Sequence, residues 1–413
     1  MKVSAGIPSV RDVMVDISPK ATVSKLKQTI CAKLSLEPDL TRLLLDGKPL
    51  RETSKLYKLR LESKKLEIDY FWSRQMILWG EQGQARLRNS KVLIAGAGAL
   101  GNETVKNLAM LGVRHFTIVD YDTVEVSNLS RMLFFDKTDF GKPKSTVLAE
   151  KLHLKYPHLE ITAVEGRLER LPLEVFLNSD LIVSGLDNFA SRVSLTLTSR
   201  RYLIPMVDGG ISGYHCRVQS YIPPDDPCPM CPVAGNQYGR LVGLRNPCDA
   251  PLEETIIPSL PTTISLVASI QSQEAAKILL GYPAYLKDGE WSETAGRPLE
   301  GIWIADLKYN KYSTLESTKN KYCFVCGEHG EAKDTVSRIE VPINELISST
   351  RSEILRKLFP DAEDFILFNL SREPVTRVPE HSLGKRDLKR GEYLLVTLKR
   401  KSGEYSEVIA RLT

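Results

Sequence analysis

The stretch KVLIAGAGALG narrows the folds open to this chain more than any other. Apolar residues run from Val92 to Ala95, and Gly96, Gly98 and Gly101 then lead into the helical pattern NETVKNLAMLGV. A GxGxxG between a strand and a helix lets the backbone turn tightly and approach a phosphate, which the helix N-terminus stabilises. HFTIVDYD supplies the next strand, which makes a βαβ unit of a parallel α/β sheet. Asp120 ends that strand about 20 residues beyond the glycines, where a carboxylate accepts from ribose hydroxyls.

Taken alone, the unit says nucleotide, and a hydride-transferring dehydrogenase is the default reading. The polar residues that follow argue otherwise. DYDTVEVSNLSR carries Ser127, Asn128 and Arg131, and GKPK closes on Lys144. Asp187 and Asn188 end the strand DLIVSGLDN, and Arg74 precedes the glycine loop in SRQMIL. Two arginines, a lysine and a carboxylate able to hold Mg2+ exceed what a nicotinamide needs. They suit a triphosphate whose charge must be neutralised while its α-phosphorus is attacked. Six histidines are present, none in a recognisable Ser/His/Asp arrangement.

Four of the seven cysteines form two CxxC pairs, Cys228/Cys231 and Cys323/Cys326. In this setting paired CxxC reads as one four-thiolate zinc site, closed to further ligands and therefore structural. Cys31, Cys216 and Cys248 stand alone.

At roughly 150 residues per domain, a chain this long holds two to four domains. Its net charge of +5 over 413 residues, without an aromatic-studded basic stretch, gives no case for nucleic acid. No apolar run approaches the roughly 18–20 residues that cross a bilayer. MKVSAGIPSVRD lacks the apolar segment of a secretory signal. The expectation is a soluble cytoplasmic protein with neither membrane nor nucleic-acid partners.

Three segments separate by pattern. In residues 1–69, VRDVMVDI is strand-like, and Thr22 can cap a helix with Val23, Leu26, Ile30 and Leu34 on one face. LTRLLLDGKPL is a strand entering an Asp-Gly turn, and KKLEIDY is a last strand. This order resembles ubiquitin. Because the chain continues through Asp69 and Tyr70 without a terminal Gly-Gly, the module reads as a docking surface rather than a transferable modifier. Residues 70–330 read as the α/β domain, with a long helix TTISLVASIQSQEAAKILLG ending at Gly281. Residues 331–413 give strand SRIEVPI, one helix INELISSTRSEILRKLF, and three strands, again an order similar to β-grasp.

The sequence of RQ, GxGxxG, DxD, SNLxR, GxPK, DN and paired CxxC over residues 70–330 resembles the ubiquitin-activating enzyme superfamily, which includes the adenylyltransferases of thiamine and molybdopterin synthesis. The resemblance implies a Rossmann-like adenylation domain using ATP, Mg2+ and a zinc ion. It implies that Asp120 binds ribose, that Gly96, Gly98, Gly101, Ser127, Asn128, Arg131 and Lys144 surround the phosphates, and that Asp187, with Asn188 beside it, holds Mg2+. Arg74 is implied to reach the nucleotide of a neighbouring subunit, as in homodimeric members. Cys248 lies where the family places its thioester cysteine. With an ordinary thiol only a few per cent ionised at pH 7, that residue needs local activation. The implied reaction is adenylation of the C-terminal glycine of a ubiquitin-like protein ending in Gly-Gly, then thioester formation and transfer to a conjugating enzyme. Activation of a sulfur-carrier protein is the alternative, and a pseudoenzyme scaffold is disfavoured by the intact nucleotide residues. The last module resembles the ubiquitin-fold domain that recruits conjugating enzymes. The chain has no cysteine after Cys326, which excludes a working rhodanese there.

Overall fold

The computed structural model describes residues 1–59, 61, 64–233, 258–348, 350–370, 376–377 and 388–413. They form two compact units. The first comprises Met1–Asn89, Met110–Gly112 and Leu280–Arg297, and the second Ser90–Ala109, Val113–Leu279 and Pro298–Thr413.

In the first unit, β1 (Lys2–Ile7), β2 (Arg11–Asp16), β3 (Thr41–Leu45), β4 (Lys48–Pro49) and β5 (Lys65–Tyr70) form a sheet of order β2-β1-β5-β3-β4. Its first and last strands pair in parallel and helix α1 (Val23–Leu34) packs across it, a ubiquitin-like arrangement. The Thr22 hydroxyl accepts from the Lys25 amide at 3.3 Å, and Val23, Leu26, Ile30 and Leu34 are buried as their spacing predicts. Asp46 and Gly47 both take positive φ (52° and 75°), the backbone a two-residue hairpin turn requires. The core does not stop at β5. Trp72 and Met76, at the start of α2 (Ser73–Asn89), belong to the same buried cluster as Leu66 and Ile68. Trp72 donates to the Met110 carbonyl at 2.8 Å and Gln75 to that of Leu111 at 2.6 Å. Further along α2, Arg88 pairs with Glu37 at 3.1 Å.

The second unit is built on an eight-stranded sheet of order β13-β12-β11-β10-β9-β6-β7-β8. Its parallel part comprises β6 (Lys91–Ala95), β7 (His115–Asp120), β8 (Glu160–Glu165), β9 (Leu181–Ser184) and β10 (Met206–Ser212). Helices α3 (Ala99–Leu111), α4 (Lys144–Lys155), α5 (Leu173–Leu177) and α6 (Phe189–Arg201) lie between these strands in the chain. Strands β11 (His215–Tyr221), β12 (Ile302–Asp306) and β13 (Lys311–Leu315) extend the sheet antiparallel. Helix α7 runs from Pro261 to Asp288, past Gly281 and Pro283, where the sequence suggested a stop. An aromatic stack secures the extra turns: Tyr285 lies 4.8 Å from Trp291, ring centre to ring centre, and Trp291 closes on Gly281.

A third sheet, β14 (Ser337–Val341), β15 (Ala362–Asn369), β16 (Thr376–Arg377), β17 (Tyr393–Arg400) and β18 (Tyr405–Leu412), has the order β14-β18-β17-β15-β16. Its first and last strands again pair in parallel. The single helix expected after β14 is two, α8 (Ile343–Ser348) and α9 (Arg351–Leu358), because Thr350 and Glu353 form a reciprocal cap that restarts the helix.

This C-terminal sheet is docked within its unit. Val336, Leu370, Tyr393 and Ile409 pack on Leu177 of α5, the Tyr393 hydroxyl donates to the Leu177 carbonyl at 2.9 Å, and Arg201 pairs with Glu407 at 3.0 Å. Deleting residues 331–413 is therefore expected to uncover apolar surface. The loss is about 2 kcal/mol of burial, lowering the Tm by roughly 4–8 °C. Thermal melts of the truncated and full chains check this, and an unchanged Tm overturns it.

Candidate functional site

Strands β6 and β9 are parallel neighbours, but the chain leaves β6 toward β7 on the other side, so a crevice opens beyond their carboxyl ends. Two loops meet there. Gly96 has φ 97° and donates to the Val119 carbonyl at 2.9 Å. A Cβ on Gly101 would stand 1.9 Å from the Gly96 carbonyl oxygen, so only glycine permits this turn. The Gly185 amide donates to Ala95 at 3.0 Å, and a Cβ on Gly185 would come within 3.1 Å of the Gly101 nitrogen. Gly98 alone of these faces open space, with nothing within 4 Å of where its Cβ would be. An open glycine at the mouth of α3 fits a phosphate group.

Asp120, at the end of β7, accepts from the Ala97 amide at 2.6 Å and from the Asp122 amide at 2.8 Å. Burial pushes its carboxyl above the usual range, opposed by those amides and by the charge of Lys144. Lys144 opens α4 and is itself buried; its ammonium pairs with Asp122 at 2.9 Å and its amide donates to the Asp122 carbonyl at 2.9 Å. The second acid of DxD thus neutralises the lysine, a partner the sequence did not disclose.

Ser127 and Asn128 sit on a short 3-10 turn. Buried Asn128 accepts from the Glu125 amide at 3.0 Å, and Arg131 donates to the Ser127 carbonyl at 2.7 Å. Asn102, in the first turn of α3, accepts from the Phe134 amide at 3.1 Å and so ties this segment to the glycine loop. It is a fully buried residue that no motif singled out.

Asp187 is exposed beyond β9, and among the described residues no hydrogen bond or ion pair engages its side chain. Its charge acts on the Tyr121 phenol and on Arg192. Arg167 lies over the Tyr121 ring at 4.5 Å. A free carboxylate beside an open phosphate cradle fits Mg2+, which takes one or two protein carboxylates and fills its shell with phosphate and water. Asn188 caps α6, accepting from Ser191 at 2.8 Å. The buried Ser184 hydroxyl, directly before the Asp187 loop, has no partner among the described residues.

The four paired cysteines converge, all ligand atoms within 4.8 Å of one another. Sulfur separations are 3.6 Å (Cys228–Cys323), 3.8 Å (Cys228–Cys231) and 3.4 Å (Cys231–Cys326). A tetrahedron with metal–sulfur bonds of about 2.3 Å has edges of about 3.8 Å, so the set fits zinc. Buried Tyr221, acted on by these thiols, has a hydroxyl without a partner among the described residues.

Arg74 is exposed in the first turn of α2, with no hydrogen bond or ion pair among the described residues. Cys248 lies outside the described residues. Of the other lone thiols, Cys216 is buried and pushed up to about 11 by that burial, and burial likewise raises Cys31. No helix among the described residues is long and apolar enough to cross a membrane.

Comparison with known proteins gives two family matches: the ThiF family over residues 72–325 and the ubiquitin family over residues 2–66. The chain is 32% identical over 269 residues to the SAMP-activating enzyme E1 of Haloferax volcanii, covering 63% of this chain and 89% of that protein. It is 30% identical over 262 residues to the molybdopterin-synthase adenylyltransferase of Escherichia coli, covering 62% and 96%. It is 38% identical over 170 residues to the NEDD8-activating enzyme E1 catalytic subunit of Saccharomyces cerevisiae, covering 35% of this chain and 57% of that protein.

Proposed function

Since the chain belongs to the ThiF family, we propose that it adenylates the C-terminal glycine of a ubiquitin-like protein and then carries it as a thioester to a conjugating enzyme. The observation that carries the first step is the crevice in which open Gly98, Asp120, Lys144 and the free carboxylate of Asp187 come together. In that step a carboxylate oxygen of the modifier bonds to the α-phosphorus of ATP and the bond to the β-phosphate oxygen breaks, releasing pyrophosphate. A carboxylate needs no general base, so positioning and charge neutralisation suffice. Asp120 would hold the ribose. Lys144, exchanging Asp122 for phosphate, and Arg131 would take up the negative charge. Asp187 would hold Mg2+, which supplies the remaining neutralisation.

Arg74, free and exposed, would complete the site of a second copy. The exposed Ile77 and Leu78 on the same helix supply apolar surface for such a homodimer. Cys248 is the nucleophile that remains once Cys31 and Cys216, both buried with raised pKa, are set aside. The β-grasp sheet after Ser337 would recruit the conjugating enzyme. A second reading, activation of a sulfur carrier, is favoured by the 30% identity over 281 residues, 95% of that protein's length, to the sulfur carrier protein adenylyltransferase of Thermus thermophilus.

The test is a non-reducing gel of the protein with ATP, Mg2+ and Gly-Gly-ended candidate modifiers. A thiol-sensitive adduct is expected in the wild type and none in Cys248→Ala, whose pyrophosphate exchange stays intact. An adduct surviving in Cys248→Ala moves the nucleophile elsewhere. Exchange without any adduct favours the sulfur-carrier reading.

A further inference from the structure

Behind the Asp187 loop lies a charged cluster that the proposed chemistry does not use. Asp208, on β10 beside Ser184 in the sheet register, has a side chain only 2% exposed and yet receives two guanidinium groups. Arg192, from the first turn of α6, grips both its carboxylate oxygens; Arg217, from β11, takes one of them. Arg192 also donates to two backbone carbonyls, Gly209 at 2.9 Å and Leu186. Leu186 is the residue directly before Asp187. From the other side, buried Gln271 of α7 donates to the Ser184 carbonyl at 2.9 Å. The segment between β9 and α6 is therefore held at Ser184 by Gln271, at Gly185 by Ala95 and at Leu186 by Arg192. Asp187 comes next, and among the described residues no hydrogen bond or ion pair holds its side chain.

A buried charge pair is a poor source of stability, because desolvating the ions offsets their attraction. Its value here lies in geometry. Guanidinium presents its donors as a rigid planar fork, and with both carboxylate oxygens fixed the fork has one remaining direction, toward Leu186 and Gly209. Two arginines on one carboxylate engage both of its oxygens, so the fork cannot swing.

We propose that Asp208 and Arg192 are positioning residues, with Arg217 as a brace, that fix the Leu186 carbonyl and so aim the Asp187 carboxylate at the metal of the bound nucleotide. The proposal rests on the reading of Asp187 as the Mg2+ ligand. Partners one shell behind a metal ligand set its orientation, and losing them costs about tenfold or more in metal affinity.

The experiment uses the full chain in two measurements: the Mg2+ concentration that half-saturates ATP–pyrophosphate exchange, and direct binding of Mn2+ in the presence of ATP, followed by its electron paramagnetic resonance signal. Asp208→Asn and Arg192→Lys are expected to weaken both by about tenfold, with the exchange rate at saturating Mg2+ held within about threefold, since the chemistry itself is untouched. Arg192→Lys keeps the charge and loses only the fork, so it separates aim from electrostatics and stands in if Asp208→Asn fails to fold. Arg217→Lys, which can keep its one contact, is expected to behave as wild type. Unchanged metal dependence in a folded Arg192→Lys variant, while Asp187→Ala loses it, overturns the clamp alone. Metal dependence unchanged in Asp187→Ala overturns the metal-ligand reading itself.

Discussion

Replacing Asp187 by alanine is expected to slow modifier-dependent pyrophosphate exchange by about 10²–10³-fold, the usual cost of losing one preorganised stabiliser of developing charge. The fold should not notice. The side chain is exposed and, among the described residues, makes no hydrogen bond or ion pair that its removal would break. Surface truncations of that kind stay within about 0.5 kcal/mol, so the melting temperature serves as the control. Extra Mg2+ should restore part of the rate if the remaining ligands are phosphate and water. Wild-type exchange in the variant at ordinary Mg2+ refutes the role.

The largest effect on stability is expected at the four cysteines. Chelation of the metal, or Cys323→Ser, removes the tie between residues 228–231 and 323–326 and leaves buried thiols packed against one another. Structural zinc contributes about 10–16 kcal/mol of apparent binding free energy in small zinc-finger peptides at pH 7. Even a fraction of that would lower the Tm of this unit by more than about 10 °C. The direction with pH follows from the ligands. Zinc binds thiolates, so protons compete with it, and the stabilisation should fade as pH falls. Metal analysis of fresh protein together with melts at several pH values, with and without chelator, is the measurement. No bound zinc and a chelator-independent Tm would sink the idea.

What the sequence disclosed and what it hid divide along a physical line. Gly96, Gly98 and Gly101 could be placed because their spacing reports a backbone constraint, and the collision a Cβ at Gly101 would suffer is that constraint in coordinates. The CxxC pairs could be matched across a long interval because four thiolates and one tetrahedral ion have few alternatives. Asp208 had no such signature. Its partners come from α6 and β11, and only the parallel pairing of β9 with β10 brings it behind Asp187. Asn102 was similarly silent, since a buried asparagine in a helix pattern looks like a surface residue until Phe134 is seen to donate to it. The break between α8 and α9 was a different kind of miss. Thr350 and Glu353 spell a capping box in the sequence itself, and it sits in the middle of the segment INELISSTRSEILRKLF.

Trp72 and Met76 complete a hydrophobic cluster begun by β1 and α1, although Met76 belongs to the next helix and Trp72 directly precedes it. The ubiquitin-like segment is consequently not an exchangeable bead. A recombination event, or an engineer, cutting after Asp69 would separate Leu66 and Ile68 from the indole that covers them and strand Arg88 without Glu37. The compact unit runs on through α2, with Arg74, and takes in Met110–Gly112 and Leu280–Arg297 as well, so discarding the ubiquitin-like segment alone leaves that helix without part of its footing.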